Sequence, residues 1–296
     1  MQTFIGSRAL PRLTYHRPGE LSGALQLMRE KDPWTLVAGG TDFIPGLRKG
    51  VWSYPDGVRV IDVRDLPELQ GIDLEDGNVR IGAATRLADI IRSPVIREHA
   101  LLLAEAVQDM ASLQVRNSAT IGGNLCTASP AADTAPPLLA LEAEAIIVDF
   151  EGTFQAMPLT DFFQGPGRCA CQAGQLLTSI RFPALKGSEY TYRRKMGLRR
   201  AFTISVISMA IKACMESSRC QELCLAFGAV APTPIRALGT EELVRGQELT
   251  SELIDQAATQ ARKEVSPISD VRASAEYRRD MAGVLTRKAL LEMARL

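Results

Sequence analysis

Two glycine pairs, far apart in the sequence, constrain the fold of this chain more than any other feature. The first glycine segment, residues 38–42, reads Ala-Gly-Gly-Thr-Asp, and the second glycine segment, residues 120–124, reads Thr-Ile-Gly-Gly-Asn. Each is predicted to begin where a short apolar strand ends. Paired glycines permit positive φ angles and close approach to the backbone. Successive amide groups in such a turn can converge into an anion-binding nest.

The glycine segments match neither of the common nucleotide-binding motifs. The chain contains no Gly-x-Gly-x-x-Gly and no Gly-x-x-x-x-Gly-Lys, so a Rossmann fingerprint and a P-loop are excluded. Gly-Gly is also frequent in plain connecting loops. The residues alone therefore leave two interpretations equally open. Both segments bind one extended ligand that contains a diphosphate, or both are structural turns.

Length and composition indicate an ordinary globular protein with room for two domains. The chain has 296 residues, 46% of them hydrophobic and 23% charged, which is enough to bury a large core without disulfides. Its 34 basic residues balance its 34 acidic residues, which argues against binding to nucleic acid or a membrane surface. Neither a signal peptide nor a membrane span is recognisable, so we expect a cytoplasmic protein.

The cysteine and histidine content does not favour a metal site. No Cys-x-x-Cys pair occurs, and the chain has only two histidines. Structural zinc sites and protein-ligated iron–sulfur clusters need closely spaced ligands of these kinds. Reduced, mostly buried thiols are the preferred interpretation for the six cysteines, which are Cys126, Cys169, Cys171, Cys214, Cys220 and Cys224.

Hydrophobic periodicity divides the chain into two halves, with the change of character at residues 183–188. The first half mixes short strands and helices without a regular βαβ rhythm, and residues 165–174 form a glycine-rich loop. The second half places long strands before helices, an α+β arrangement. Predicted strands cover residues 35–38, 58–63, 79–83, 119–121, 145–150, 176–182, 203–214 and 222–230. Predicted helices cover residues 21–28, 87–92, 101–113, 134–141, 241–245, 251–263 and 277–296.

Longer stretches around both glycine segments carry a family resemblance. Residues 36–42 read Leu-Val-Ala-Gly-Gly-Thr-Asp, and residues 114–125 read Gln-Val-Arg-Asn-Ser-Ala-Thr-Ile-Gly-Gly-Asn-Leu. These stretches resemble the two FAD loops of the medium subunits of xanthine dehydrogenase and carbon monoxide dehydrogenase, which are molybdenum hydroxylases. The resemblance continues, in one order along nearly the whole chain, at residues 195–201, 204–206, 226–236 and 272–278.

This resemblance implies an α+β fold of two domains. Residues 1–184 would form an FAD-binding domain of the vanillyl-alcohol-oxidase type, with two α/β subdomains that divide near residues 56–60. Residues 185–296 would form a smaller α+β C-terminal domain with an antiparallel sheet and helices.

The resemblance also implies FAD as the cofactor, with no catalytic side chain and no metal ligand in this chain, because the flavin carries the redox chemistry. The glycine segments would cradle the diphosphate and the ribityl chain, and Lys195 would lie beside the flavin ring. The expected cofactor-binding residues are Thr35, Leu36, Val37, Ala38, Gly39, Gly40, Thr41, Asp42, Thr120, Ile121, Gly122, Gly123, Asn124, Asp133, Leu176, Leu177 and Lys195.

An electron-transfer role in a larger enzyme follows from the same resemblance. The chain would accept electrons from iron–sulfur clusters and pass them to NAD+ or another acceptor. Its partners would be a molybdenum-cofactor large subunit and a small subunit with two-iron two-sulfur clusters, assembled as a dimer of heterotrimers. Two alternatives are a stand-alone FAD-dependent oxidoreductase of the same fold and a flavin-free assembly module.

Two of the candidate residues carry competing interpretations. Lys195 lies in a basic run that also contains Arg193, Arg194, Arg199 and Arg200. The residues alone favour a solvated surface charge, whereas the resemblance favours a charge that stabilises the reduced flavin. Asp133 either bonds a sugar or ribityl hydroxyl or serves as a first-turn acid of the following helix.

Two further features concern access to the flavin. Thr203 stands where many relatives of the family have aspartate, which is a departure at the flavin edge. The loop at residues 165–174 is a hypothetical mobile cover over the flavin face.

Overall fold

The computed structural model describes residues 10–199 and 203–295. Its first sheet is small and parallel. Its strand order is β1-β3-β2, so both helices of this region connect parallel strands. A βαβ rhythm is therefore present, and the prediction of an irregular first half is wrong here. The elements are β1 (Leu13–His16), α1 (Leu21–Arg29), β2 (Trp34–Val37), α2 (Phe43–Lys49) and β3 (Val58–Asp62).

The second sheet is antiparallel, with strand order β4-β5-β10-β6-β7. A run of short helices connects β5 to β6, and a two-stranded hairpin precedes the central strand β10. The strands are β4 (Ile72–Glu75), β5 (Asn78–Gly82), β6 (Glu144–Asp149), β7 (Phe154–Pro158), β8 (Phe163–Gly165), β9 (Arg168–Cys169) and β10 (Gln175–Pro183). The helices are α3 (Leu87–Arg92), α4 (Pro94–His99), α5 (Leu101–Gln108), α6 (Leu113–Arg116), α7 (Ile121–Cys126), α8 (Ala135–Ala140) and α9 (Leu159–Phe162), and a 3-10 turn covers Pro67–Leu69.

The third sheet is built from long antiparallel strands and is covered by three helices. Strand order is β11-β12-β13-β14, and β15 pairs with the other end of β13. The apolar side chains of β12 and β13 form one core with the faces of α11 and α12. The elements are β11 (Glu189–Met196), β12 (Ile207–Glu216), β13 (Arg219–Gly228), β14 (Ile235–Arg236), α10 (Leu238–Val244), β15 (Gln247–Glu248), α11 (Ser251–Glu264) and α12 (Ala275–Met293).

Most predicted strands and helices are present with their ends shifted by a few residues, but residues 119–121 are not a strand. Thr120 makes only an isolated bridge to Arg86 and caps α7 through its hydroxyl, so the second glycine segment is the first turn of a helix. The predicted helix 101–113 ends at Gln108, and Ala111 has a φ of +40° in the turn that follows. The loop at 165–174 contains part of the β8–β9 hairpin.

The chain changes sheet between Asp62 and Ile72, so β3 belongs to the first sheet. The largest core lies on the second sheet and its helices and extends to Ala210 and Ala226 of the third sheet. Lys212 also reaches across from β12, with its Nζ 2.6 Å from Glu142 Oε2. Across residues 10–199 and 203–295, no helix has both the length and the apolar character needed to cross a bilayer.

Candidate functional site

One glycine of each pair packs closely against another part of the chain, and at Gly39 this contact brings the two glycine segments together. A Cβ on Gly39 would lie 2.3 Å from the carbonyl oxygen of Ser118, two residues before the second segment. A Cβ on Gly122 would lie 2.7 Å from both the Cβ and the carbonyl oxygen of Ala83. Neither position has room for a side chain, so Gly39 and Gly122 allow protein segments to pack closely.

The other glycine of each pair lines a cavity. Gly40 has a φ of +69°, and a Cβ there would find its nearest neighbour, Val37 Cγ2, only at 4.0 Å. At Gly123 a Cβ would lie 3.0 Å from its own capping hydroxyl, Thr120 Oγ1. Both residues line a cavity of about 950 Å³. Each pair thus combines one packing glycine with one glycine that leaves room in the cavity.

The backbone amides of the two segments differ in their partners. In the second segment three amides donate to other groups of the protein. Ile121 N donates to Thr85 O at 3.0 Å, Gly122 N donates to Ala83 O at 2.8 Å, and Gly123 N donates to Thr120 Oγ1 at 3.1 Å. The amides of residues 39–41 donate to no other group in the described part of the chain. The predicted anion-binding nest can therefore form only at the first segment.

A second cavity, of about 680 Å³, adjoins the first along β2. Both cavities share wall residues, so we treat them as one channel. The predicted residues Leu176 and Leu177, on β10, line the second cavity. The shared wall includes Thr35, Leu36, Val37, Ala38, Thr120 and Gly123.

A buried ion pair stands at the end of the channel, beside the helix α8. Lys195 Nζ donates to Asp133 Oδ2 at 2.7 Å and to the carbonyl oxygen of Asp109 at 3.1 Å. The side chains of Lys195 and Asp133 are only 8% and 10% exposed. Ser205 Oγ donates to the other oxygen of Asp133. Asp133 lines the channel, whereas Lys195 lies behind it, so this lysine is not the solvated surface charge that its basic run suggested.

Comparison with known proteins identifies the chain's relatives. Residues 11–185 match the family model described as "FAD binding domain in molybdopterin dehydrogenase", and residues 190–293 match "CO dehydrogenase flavoprotein C-terminal domain". The chain belongs to this molybdopterin dehydrogenase flavoprotein family. It is 33% identical to the xanthine dehydrogenase FAD-binding subunit of Escherichia coli O157:H7, over 94% of this chain and 95% of that one.

Two more relatives support the family membership. The glyceraldehyde dehydrogenase medium chain of Sulfolobus acidocaldarius is 34% identical, over 96% of this chain and 99% of that one. A carbon monoxide dehydrogenase structure from Hydrogenophaga pseudoflava, which lacks the Mo-pyranopterin moiety, matches with a TM-score of 0.88 and 29% identity, over 95% of this chain and 96% of its own. The predictions of an FAD cofactor, of an oxidoreductase subunit and of the two-part α+β fold are confirmed.

The structure brings nearly all of the predicted FAD-binding residues of this flavoprotein to the walls of one channel. The channel walls carry residues 35–42, Thr120, Gly122, Gly123, Asn124, Asp133, Leu176 and Leu177. Lys195 is not on the wall and reaches the channel only through Asp133. Ile121 instead lies fully buried in the core. Thr203, where the resemblance led us to expect aspartate, also lines the channel. Arg200 and Ala201, within the stretch 195–201 that carried the resemblance, lie outside the described residues.

An aromatic patch on the channel wall of the flavoprotein is missing from the sequence prediction. Trp52 and Tyr54 line the first cavity, each with its ring centroid 6.0 Å from that of Phe43. Trp52 packs over Gly46, where a Cβ would lie 2.7 Å from the indole ring. The Tyr54 hydroxyl lies 3.1 Å from Thr35 Oγ1. The only sequence signal was two aromatic residues two positions apart, which is also typical of an ordinary strand.

Proposed function

We propose that this chain holds FAD along the channel and serves as the electron-transfer subunit of a multi-subunit molybdenum hydroxylase. The observation that carries the proposal is the row of amides at residues 39–41, which find no acceptor among the residues that the structure describes and lie in the wall of a channel lined by both glycine segments. A diphosphate is the part of FAD that needs such donors. The channel beyond it, with apolar walls on β2 and β10, suits the ring systems at the two ends of a dinucleotide.

The two sides of the channel would hold the cofactor in different ways. The first segment supplies backbone donors to the diphosphate, and the second supplies the side chains of Thr120 and Asn124. Bound FAD supplies reversible electron transfer that no side chain of this protein can provide. Asp133 already accepts from Lys195 and Ser205, so we propose that it orients the lysine and the adjoining wall.

The subunit partners are proposed from the kinds of proteins to which the chain is similar. Its relatives are called medium chains and FAD-binding subunits. A large subunit with the molybdenum cofactor and a small subunit with two-iron two-sulfur clusters would complete the enzyme, as a dimer of heterotrimers. Electrons would reach this chain from the iron–sulfur clusters and leave to NAD+ or another acceptor.

The domain limits also remain a proposal, with residues 1–184 and 185–296 as the two domains. It is supported by the short connection between β10, which ends at Pro183, and β11, which starts at Glu189. Within the first domain, the change of sheet after Asp62 supports a subdomain limit later than residues 56–60.

Copurification from the native host tests the electron-transfer role. We expect a yellow chain that carries FAD and copurifies with iron–sulfur and molybdenum subunits. The isolated, FAD-loaded chain should exchange electrons with NADH or an artificial acceptor but oxidise no organic substrate. Turnover of an organic substrate by the isolated chain would favour the stand-alone oxidoreductase. A colourless chain that stays colourless with added FAD would favour the assembly module.

A pair of matched glycine variants tests the position of the site. Gly40→Ala and Gly246→Ala both place a Cβ in open space at nearly the same left-handed φ, +69° and +70°. Similar backbone strain is therefore expected in both, but only Gly40 borders the channel. FAD affinity should fall about tenfold or more in Gly40→Ala, a loss of about 1.4 kcal/mol. Equal FAD affinities in the two variants would contradict the proposed site.

A further inference from the structure

Three cysteines that are distant in sequence converge on one wall of the channel. Cys126 is the last residue of α7, Cys169 ends β9, and Cys171 follows two positions later. Their sulfur atoms all lie within 4.8 Å of one another, and all three side chains are half-buried. We call Cys126, Cys169 and Cys171 the cysteine cluster. Neither the family match nor the FAD proposal gives it a role.

The fold holds the cysteine cluster from both sides. Gly167 N donates to Ala128 O at 3.1 Å, which ties the β8–β9 hairpin to the end of α7. Ala170 N donates to Phe162 O at 2.8 Å, and the side chain of Phe162 is fully buried in the core. The backbone that carries all three thiols is therefore fixed by hydrogen bonds and packing, so the convergence of the sulfurs does not depend on a flexible loop.

The geometry of the cluster suits a small thiophilic ion. Zinc–thiolate bonds of about 2.3 Å place the sulfurs of a tetrahedral site roughly 3.8 Å apart. The cluster, with every sulfur pair within 4.8 Å, needs shifts of an ångström or less to reach this spacing. Thiolates are soft ligands that select Zn2+ and Cu+ over hard ions. All three residues also line the second cavity, which gives an ion an entry path and leaves one coordination position open.

A disulfide is the competing use of these thiols. It would join two sulfurs at about 2.05 Å and leave the third without a partner. The convergence of three sulfurs on one point is explained by an ion that binds all of them, and not by a bond between two.

We propose that Cys126, Cys169 and Cys171 form a three-thiolate binding site for one Zn2+ or Cu+ ion on the wall of the channel. Each thiol that binds gives up its proton to solvent, and no electron is transferred. The bound ion would cross-link the β8–β9 hairpin to α7. This inference does not depend on the proposed electron-transfer function, because its test measures metal binding alone.

The test is a metal titration of the reduced full-length protein, with Zn2+ and Cu+ in separate experiments against a chromophoric chelator. We expect one ion per chain. Cys169→Ser should weaken binding by about 100-fold or more. The matched control is Cys214→Ser, which changes a half-exposed thiol on β12 outside the cluster and should leave the affinity unchanged. Binding of Zn2+ alone or of Cu+ alone supports the proposal and identifies the ion.

Other outcomes would overturn the proposed three-thiolate metal site. Equal metal affinity in Cys169→Ser and Cys214→Ser would show that the ion binds elsewhere. Loss of two thiols under mild oxidation, in a protein that binds neither ion when reduced, would assign the cluster to a disulfide. If Cys169→Ser fails to fold, Cys171→Ser and a Co2+ titration of the unaltered protein keep the test decisive. Absence of sulfur-to-cobalt charge-transfer absorption would then contradict a thiolate site.

Discussion

The two glycine segments have nearly the same sequence pattern but opposite uses of their backbone. In residues 38–42 the amides of residues 39–41 line the channel and have no acceptor within residues 10–199 and 203–295. In residues 120–124 the amides bond to Ala83, Thr85 and the capping hydroxyl of Thr120. The same Gly-Gly pair therefore leaves amides without a described acceptor in one place and allows close packing against Ala83 in the other.

This difference shows that a glycine pair does not by itself identify a phosphate site. The decisive quantity is whether neighbouring carbonyls already accept the amide protons. At the second segment, Ala83 and Thr85, which follow β5, supply those carbonyls. Variants that separate packing, charge and hydrogen bonding test this contrast.

The largest effect is expected at the buried ion pair of Lys195 and Asp133, where each charge faces an opposite charge. Lys195→Ala leaves Asp133 uncompensated and should lower the free energy of unfolding by about 3–5 kcal/mol. It should also lower the flavin midpoint potential, because a buried negative charge disfavours electron uptake. Asp133→Asn leaves Lys195 positive and should raise the potential.

Redox titration of the FAD-loaded variants measures the direction of the potential shift in each variant. A shift of about 30 mV in a two-electron potential corresponds to about 1.4 kcal/mol. Unchanged potentials in both variants, with FAD still bound, would rule out an electrostatic role for the pair. Shifts of the same sign would show that altered packing, not charge, is responsible.

The packing glycines come next. Gly39→Ala and Gly122→Ala each force a Cβ into backbone or a neighbouring Cβ, at 2.3 Å and 2.7 Å, and should destabilise the fold by about 1–3 kcal/mol. Denaturant unfolding measures the change. Gly19→Ala is the control, since a Cβ there meets nothing within 4 Å. Wild-type stability in Gly39→Ala would contradict the close packing of the two segments.

A smaller effect is expected from the helix cap of the second segment. Thr120 caps α7, and Thr250 caps α11 in the same way, with its hydroxyl accepting from Leu253 N at 3.2 Å. Thr120→Ala and Thr250→Ala should each cost about 1 kcal/mol of stability. Only Thr120→Ala should also weaken FAD binding, measured by fluorescence titration. Equal FAD affinity would mean that Thr120 serves the helix alone.

The smallest effect concerns the side-chain link between the segments. The Thr127 hydroxyl lies 3.2 Å from Asp42 Oδ2 and donates to Gly123 O at 2.9 Å. Thr127→Val should cost about 0.5–1.5 kcal/mol and slightly weaken FAD binding. Thr259→Val removes the same kind of bond on α11, from Thr259 Oγ1 to Asp255 O, with no link to the channel. A larger loss of FAD affinity in Thr259→Val would contradict the role of this link.

The sequence correctly predicted that the first glycine segment follows a short strand, and it also predicted the long C-terminal strands. Local sequence patterns determine both features. The sequence misassigned Thr120 and Ile121 as a strand, since a short apolar triplet has no period long enough to separate strand from helix. Carbonyls of Ala83 and Thr85, distant in sequence, decide that conformation.

The unpredicted features share the same cause. The pairing of Lys195 with Asp133 and the convergence of the cysteine cluster each join residues that are far apart along the chain. Neither has a local signal, because charge and thiol chemistry depend on neighbours that only the folded chain supplies. The aromatic patch at Trp52 was missed for this reason as well, as its position over Gly46 follows from packing.

The central position of β10 sets an order of events during biosynthesis. This strand lies between β5 and β6 and carries Leu176 and Leu177 on the channel wall. A nascent chain that has not yet emerged beyond Pro183 has both glycine segments but lacks the strand that joins the halves of its second sheet. If FAD binds in this channel as proposed, we expect the nascent chain to bind it only after β10 has left the ribosome.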